Sequence, residues 1–364
     1  MKKQNKELTV CFYPSNKKRT NHFLYNLSNL LESTGKIRCV GYKDISKKSL
    51  YSYNVYHINW FDQSKNFVSF LKRLYFLLAL KLKGKRIVWT IHNIVSHEKT
   101  PFYNRLLFKT LVIASDAIHV MCQDTISIAR LEHVRQKVHF VPHGDYYGSY
   151  PESDYDVHRH YGIEKSRPIF LFMGAIMPYK NIEVLIRAFK SAFEYSEKME
   201  KNDHSPILLI CGKVEPESYK DVIENLIGED ERIHFSPGFV SDECLAAYIQ
   251  SSSMLVVPYS YRSSLNSGTI PLAFTFGKTV ICPDIACVKD VVVQADCLYS
   301  YHYESEEDHV QKLSQKMMEA IDDALHLDNG KLLARERNAR DYMAKHSWIG
   351  HKKEWLELFG FDGD

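Results

Sequence analysis

The 364-residue chain lacks the marks of several protein classes, and each absence narrows the reading. Its eight cysteines form no C-x-x-C pair and sit mostly inside apolar runs. That excludes a disulfide framework or zinc ribbon and suits buried thiols in a reducing cytosol. No stretch approaches the ~20 apolar residues of a membrane-spanning helix. The opening, MKKQNKELTVCFYP, has a basic flank, but its apolar run is too short and no small-residue cleavage site follows. It reads as a first strand, not a secretion signal. The first strand-to-helix turn, YPSNKKRTNHF, carries no G-x-G-x-x-G, so a nicotinamide or flavin dinucleotide fingerprint is missing where it belongs. No short repeat is evident. The aromatic residues do not fall into an RNA- or DNA-binding module, so no nucleic-acid partner is expected.

Charge is present, and it is unevenly placed. Up to Tyr150 there are 24 Lys and Arg against 9 Asp and Glu, a net +15, while the remainder nets −12. A basic half and an acidic half suggest an anionic partner for the first, such as a membrane surface or a phosphorylated lipid.

Apolar runs alternate with helical patterns throughout. Strands are expected at 8–13, 37–42, 55–59, 86–91, 117–121 and 138–142, with helices at 21–31, 67–82, 102–113 and 125–133. A second series has strands at 169–173, 207–211, 233–236, 254–258, 279–282 and 297–300. Its helices fall at 182–192, 218–227, 242–250, 268–276, 308–325 and 331–345. Both series imply parallel, doubly wound α/β sheets. The expected division is residues 1–150, then 151–345 with a linker at 151–167 rich in Tyr, Ser, Asp, Gly and Pro. Residues 346–364 form an amphipathic tail that can dock back on the first domain.

The chain is organised around PIFLFMGAIMPYKNIEVLIRAF, residues 168–189. A buried strand breaks at Gly174, a short loop carries Lys180 and Asn181, and Ile182, Leu185, Ile186 and Phe189 recur at helical spacing. A helix mouth with a lysine beside it is an anion site suited to a diphosphate. A second mouth follows the strand ending at Pro258. Its polar loop holds Arg262, Ser263, Ser264 and Ser267, and a helix starts at Gly268–Thr269. The loop at Pro237–Ser241 offers Phe239 and Val240 to a flat base. In the first half, WTIHNIVSHE places His92, Asn93 and Glu98 at the C-terminal edge of a strand, where His92 and Glu98 are the candidate catalytic groups. Asn59, Asn21, His22 and His143 are further candidates to line the same cleft. In PHGDY, Gly144 is expected to permit a tight turn.

Together these segments resemble GT-B glycosyltransferases, close to family 4 and its bacterial exopolysaccharide relatives. WTIHN is similar to the acceptor-domain histidine loop, VHFVPHGDY to the segment that closes the first domain, and FMGAIMPYKNIEVLIRAF to "VGRxxxxKGxxxLIxAF". The stretch SSLNSGTIPLAFTFGKTVICPD is similar to "E-x7-E-A-x-A-x-G-x-P-V-I". The departures are specific. Ala175 stands where the family has a donor-phosphate arginine, Asn181 replaces a glycine, and Ser264 and Leu272 replace both acids. Arg262 is the candidate to compensate for the lost arginine.

The resemblance implies two facing Rossmann-like domains with an interdomain cleft. It implies transfer of a sugar from a nucleoside diphosphate, GDP-mannose or a UDP-sugar, to a lipid-linked or oligosaccharide acceptor in surface polysaccharide synthesis. No cofactor or metal is expected, since such enzymes generally need none and no donor-site loop carries D-x-D. If the enzyme inverts, His92 or Glu98 takes the acceptor proton; if it retains, the leaving diphosphate assists and His92 shapes the site. Two alternatives stay open: a nucleotide-sugar 2-epimerase of the same architecture and a non-catalytic nucleotide-sugar-binding protein. Residues 65–86 hold seven cations, no acid and many large apolar side chains, so they read either as an interfacial helix or as a core crossover helix with basic ends. The expected location is the cytoplasm, with peripheral attachment to the inner face of the plasma membrane.

Overall fold

The computed structural model describes residues 7–17, 21–93, 101–193, 205–260, 264–326 and 330–361. The chain divides into two compact units, Met1–Gly144 with His346–Asp364, and Asp145–Lys345.

The first unit runs β1 (Leu8–Tyr13), α1 (His22–Glu32), β2 (Ile37–Gly41), β3 (Val55–Asn59), α2 (Phe67–Leu82), β4 (Arg86–Ile91), α3 (Phe102–Ala114), β5 (Ala117–Val120), α4 (Thr125–Ile128) and β6 (Val138–Phe140). Its six strands are parallel in the order β2-β1-β3-β4-β5-β6. The order reverses between β1 and β3, so the crevice at their carboxyl ends is the expected ligand position.

The second unit runs α5 (Val157–Tyr161), β7 (Ile169–Met173), α6 (Ile182–Phe193), β8 (Ile207–Cys211), α7 (Tyr219–Ile227), β9 (Ile233–Ser236), α8 (Asp242–Ser251) and β10 (Met254–Val256). It continues with α9 (Thr269–Thr275), β11 (Val280–Pro283), α10 (Ala286–Gln294), β12 (Tyr299–Tyr301), α11 (Glu306–Leu325) and α12 (Lys331–Lys345). The strand order is β12-β11-β10-β7-β8-β9, all parallel. This is the doubly wound dinucleotide-fold order, and it reverses between β7 and β10. β7 and β8 are buried along their whole length, as expected of strands covered by helices on both faces. α6 seals the sheet with Ile182, Leu185, Ile186 and Phe189 fully buried.

The last helix, α13 (Lys352–Leu358), belongs with the first unit. Trp355 and Leu358 on it are fully buried in the first unit's core beside Phe12 and Leu24. Gly144 explains the approach: a Cβ there would lie 2.4 Å from the Trp348 indole. The glycine makes room for a ring; it is not one of the positive-φ turn glycines.

Three local expectations fail for physical reasons. The segment read as a linker carries α5, capped by Asp156 Oδ1 on the Arg159 amide at 3.0 Å, and buries Val157 and Ile163. Helix α10 was not foreseen, because its Val291–Val293 run favours a strand locally. Asn21 lies outside α1 as its N-cap, accepting from the Leu24 amide at 3.1 Å.

Candidate active site

In the second unit the sequence brings its two expected mouths to the β7/β10 switch point. Gly174 ends β7 at φ +135°, with open space where a side chain would stand. The chain then makes a single turn at Pro178–Lys180 and reaches Asn181 at φ 56°. Asparagine tolerates this left-handed geometry, as glycine does. It also adds what glycine lacks: its Nδ2 donates to the Pro258 carbonyl at 2.9 Å, tying the α6 mouth to the end of β10. The Lys180 ammonium sits 3.7 Å from the centroid of the Tyr259 ring, a cation–π contact that orients the charge. Tyr259 is buried, and its hydroxyl reaches Thr269 Oγ1 at 3.5 Å. Lys180, Asn181, Tyr259 and Thr269 therefore form one linked group, although they span ninety positions of chain.

The second mouth is poorer in amides than its sequence suggested. Ser267 Oγ already accepts from the Thr269 amide at 3.3 Å, and Pro271, at the third helical position of α9, has no N–H. Ser264 and Ser267 are buried within the loop, Gly268 is exposed, and Leu272 lies in the core. Arg262 and Ser263 lie outside the described residues. Phe239 is 81% exposed, beyond β9 and two strands from β7, so about 10 Å along the sheet edge. Val240 is half-buried against the core.

In the first unit the β1/β3 switch point is bridged by Asn59. This fully buried side chain donates Nδ2 to the Tyr13 carbonyl at 3.2 Å and accepts from His92 Nε2 at 2.9 Å. The arrangement places the proton of the neutral imidazole on Nε2 and the lone pair on Nδ1. Trp60, at φ 50°, stacks on the His92 ring at 4.1 Å and 14°. Phe23 meets the same ring edge-on at 5.6 Å. Burial, reinforced by nearby His119, His57 and His143, holds the His92 pKa well below its ordinary value. His92 is thus in its base form throughout the neutral range.

A second, buried chain of hydrogen bonds crosses the same sheet. His57 Nε2 contacts Thr90 Oγ1 at 2.7 Å, Thr90 Oγ1 contacts His119 Nδ1 at 3.1 Å, and His119 Nε2 donates to the Val141 carbonyl at 2.8 Å. Since His119 Nε2 is the donor, its Nδ1 accepts from the threonine hydroxyl, and His57 donates to that oxygen. His143 donates Nδ1–H to the Gly144 carbonyl at 2.8 Å. Burial depresses His119 to about 3 and His143 to about 4. His119 escaped the sequence reading, although a histidine in the middle of the apolar run AIHV was a usable signal. Asn21 is engaged as a helix cap, His22 is half-buried and Asn93 is exposed. Glu98, the other candidate base, lies outside the described residues.

Residues 155–340 match the family model described as Glycosyl transferases group 1. The chain belongs to this glycosyltransferase family. The match is to a transferase family and gives no support to the epimerase alternative. Over 364 aligned positions the chain is 24% identical to a GDP-mannose:glycolipid 4-beta-D-mannosyltransferase of Xanthomonas campestris pv. campestris, covering 95% of this chain and 90% of that protein. Among solved structures it is similar to Anabaena HepE in complex with UDP-glucose, with a TM-score of 0.68 at 14% identity, over 97% of this chain and 99% of that one. It is also similar to WaaG, a glycosyltransferase involved in lipopolysaccharide biosynthesis, with a TM-score of 0.62 at 14% identity, over 97% of this chain and 100% of that one. The fold is therefore GT-B.

Proposed function

We propose that this glycosyltransferase moves a mannosyl group from GDP-mannose to a lipid-linked saccharide, the donor held by the second unit and the acceptor served by the first. The observation that carries the donor assignment is the lysine fixed over Tyr259 beside the open Gly174 turn, at the switch point of a dinucleotide-type sheet. The similarity to a GDP-mannose:glycolipid mannosyltransferase supports the sugar and acceptor classes.

Chemically, the anomeric C–O bond breaks and negative charge grows on the leaving diphosphate. Lys180 and the amides at the start of α6 stabilise that charge, which is where preorganised electrostatics contributes most to rate. Phe239 offers a stacking face to the base. A β-linked product from an α-linked donor requires a base on the acceptor hydroxyl. His92 Nδ1, the lone-pair nitrogen of a neutral ring held by Asn59 and Trp60, takes that role, with Glu98 as the competing base.

Attachment to an anionic membrane surface is part of the same reading. α2 buries Phe70, Phe76, Leu77 and Leu80 but turns Phe67, Leu71, Tyr75, Leu78 and Leu82 to solvent. Those five recur on one helical face beside Lys72 and Lys81, the pattern of a helix lying in an interface. Among the described residues no helix is long and apolar enough to cross a membrane.

The test is a panel of labelled nucleotide sugars with a lipid diphosphate-linked saccharide, read by product mass and anomeric configuration. GDP-mannose should give a β-linked product with wild-type protein. Lys180→Ala and His92→Ala should each lower kcat/KM about 100-fold or more. Absence of transfer from every donor, or wild-type rates in both variants, would overturn the assignment.

A further inference from the structure

We infer that a cavity beside α3 receives the phosphate-bearing end of the lipid-linked acceptor; this rests on the transfer reading above and adds the place and chemistry of the acceptor's lipid end. The cavity has a volume of about 730 Å³ and lies wholly within the first unit, between the loop after β3, α3 and the turn after α4. That is within the ~300–1,000 Å³ range of small-molecule sites.

Its lining is amphiphilic in an ordered way. Arg105 and Lys109, one turn apart on α3, and Arg130 on the facing turn supply three cations. Among the described residues none of the three has a carboxylate partner. Among the described residues Asp62 is the single carboxylate in the wall, and it lies within the electrostatic influence of Arg73. Three uncompensated cations around one hollow favour a phosphate, which Arg can grip through paired N–H groups. Arg130 also holds φ at 54°, a left-handed backbone that costs a non-glycine residue and persists only where the surroundings enforce it.

The other half of the lining is apolar and continues outward. Leu106 and Ile113 line the cavity and are exposed. α2 packs beside α3 and carries the exposed stripe described above. A ligand with an anionic head and a long hydrocarbon tail matches this sequence of surfaces: cations in the hollow, then an apolar path across α3 towards α2. A free sugar or nucleotide would leave the apolar half unused.

Farnesyl diphosphate, titrated into the full-length protein without any nucleotide sugar, is the probe. It should bind saturably, at least tenfold tighter than inorganic pyrophosphate or farnesol, because only the probe engages both halves. Arg105→Gln with Lys109→Gln should weaken binding at least tenfold. Arg130→Gly should do the same without lowering the melting temperature, since glycine accepts the left-handed backbone while the cation is lost. Lys180→Ala should leave probe binding unchanged. The inference is overturned if the cation variants bind the probe as wild type does, if pyrophosphate alone binds as tightly, or if these variants lose only flotation with anionic vesicles. Probe binding needs no transfer. A protein that moves no mannose yet loses the probe in these variants therefore refutes the functional reading and upholds the pocket.

Discussion

Mild acid should destabilise the first unit, and the size of the effect follows from its buried histidines. His57, His92, His119 and His143 all have pKa values depressed by burial. A histidine kept neutral by the fold binds fewer protons than the unfolded chain, so stability falls as pH drops below its ordinary value of about 6.5. His119, at about 3, and His143, at about 4, remain neutral in the fold down to about pH 5. Each then costs about 2 kcal/mol between about pH 7 and about pH 5, so the two together cost about 4 kcal/mol. His57 and His92 add in the same direction. Against a typical domain stability of about 5–15 kcal/mol, this is enough to shift a urea midpoint far to lower concentration. The assay is unusually selective, because all four tryptophans, Trp60, Trp89, Trp348 and Trp355, belong to the first unit. Their fluorescence in urea at the two pH values reports that unit alone. His143→Asn preserves a donor towards the Gly144 carbonyl but cannot titrate, and it should remove about 2 kcal/mol of the pH dependence. A midpoint that stays constant between the two pH values, or a variant with the full wild-type slope, would show that these histidines do not carry the pH dependence.

Other expectations are more local. Gly144→Ala must push the Trp348 ring aside and should cost about 1–3 kcal/mol, with a shifted tryptophan emission maximum; an unchanged melt would contradict the close contact. Leu71→Glu with Leu78→Glu should abolish co-flotation with anionic vesicles while leaving the melting temperature near that of wild type, because both side chains face solvent; retained flotation would remove α2 from the membrane reading. Asn181→Gly keeps the left-handed backbone but loses the hydrogen bond to Pro258, so donor affinity should fall about three- to tenfold at near-constant fold stability; unchanged affinity would show that the tie does not organise the site.

Much of the fold was legible because its strands are continuous apolar runs. LFM in β7 and LLI in β8 can only be buried on both faces, and the helices between them keep a clear period. The unforeseen elements are those where tertiary packing outweighs local preference. α10 is a helix despite three consecutive valines, and α5 sits in a stretch whose composition reads as loop. At the site, Lys180, Asn59 and His92 were visible as polar residues at the carboxyl ends of strands. The links between them were not. Tyr259 beneath Lys180, Pro258 beyond Asn181, and Thr90 between two histidines join residues tens of positions apart, and no short motif encodes such pairs. Asn181 shows the point most clearly. The sequence shows it only as a departure from the family glycine, whereas the structure gives its side chain a bond that glycine cannot make.

Donor and acceptor roles both follow from where the nucleotide diphosphate settles. Hydrogen–deuterium exchange with and without saturating GDP addresses this directly. Slower exchange in peptides spanning 174–182 and 257–270, with the sheet of the first unit unaffected, is the predicted result. Protection confined to other segments, with those two exchanging as in the free protein, would contradict it.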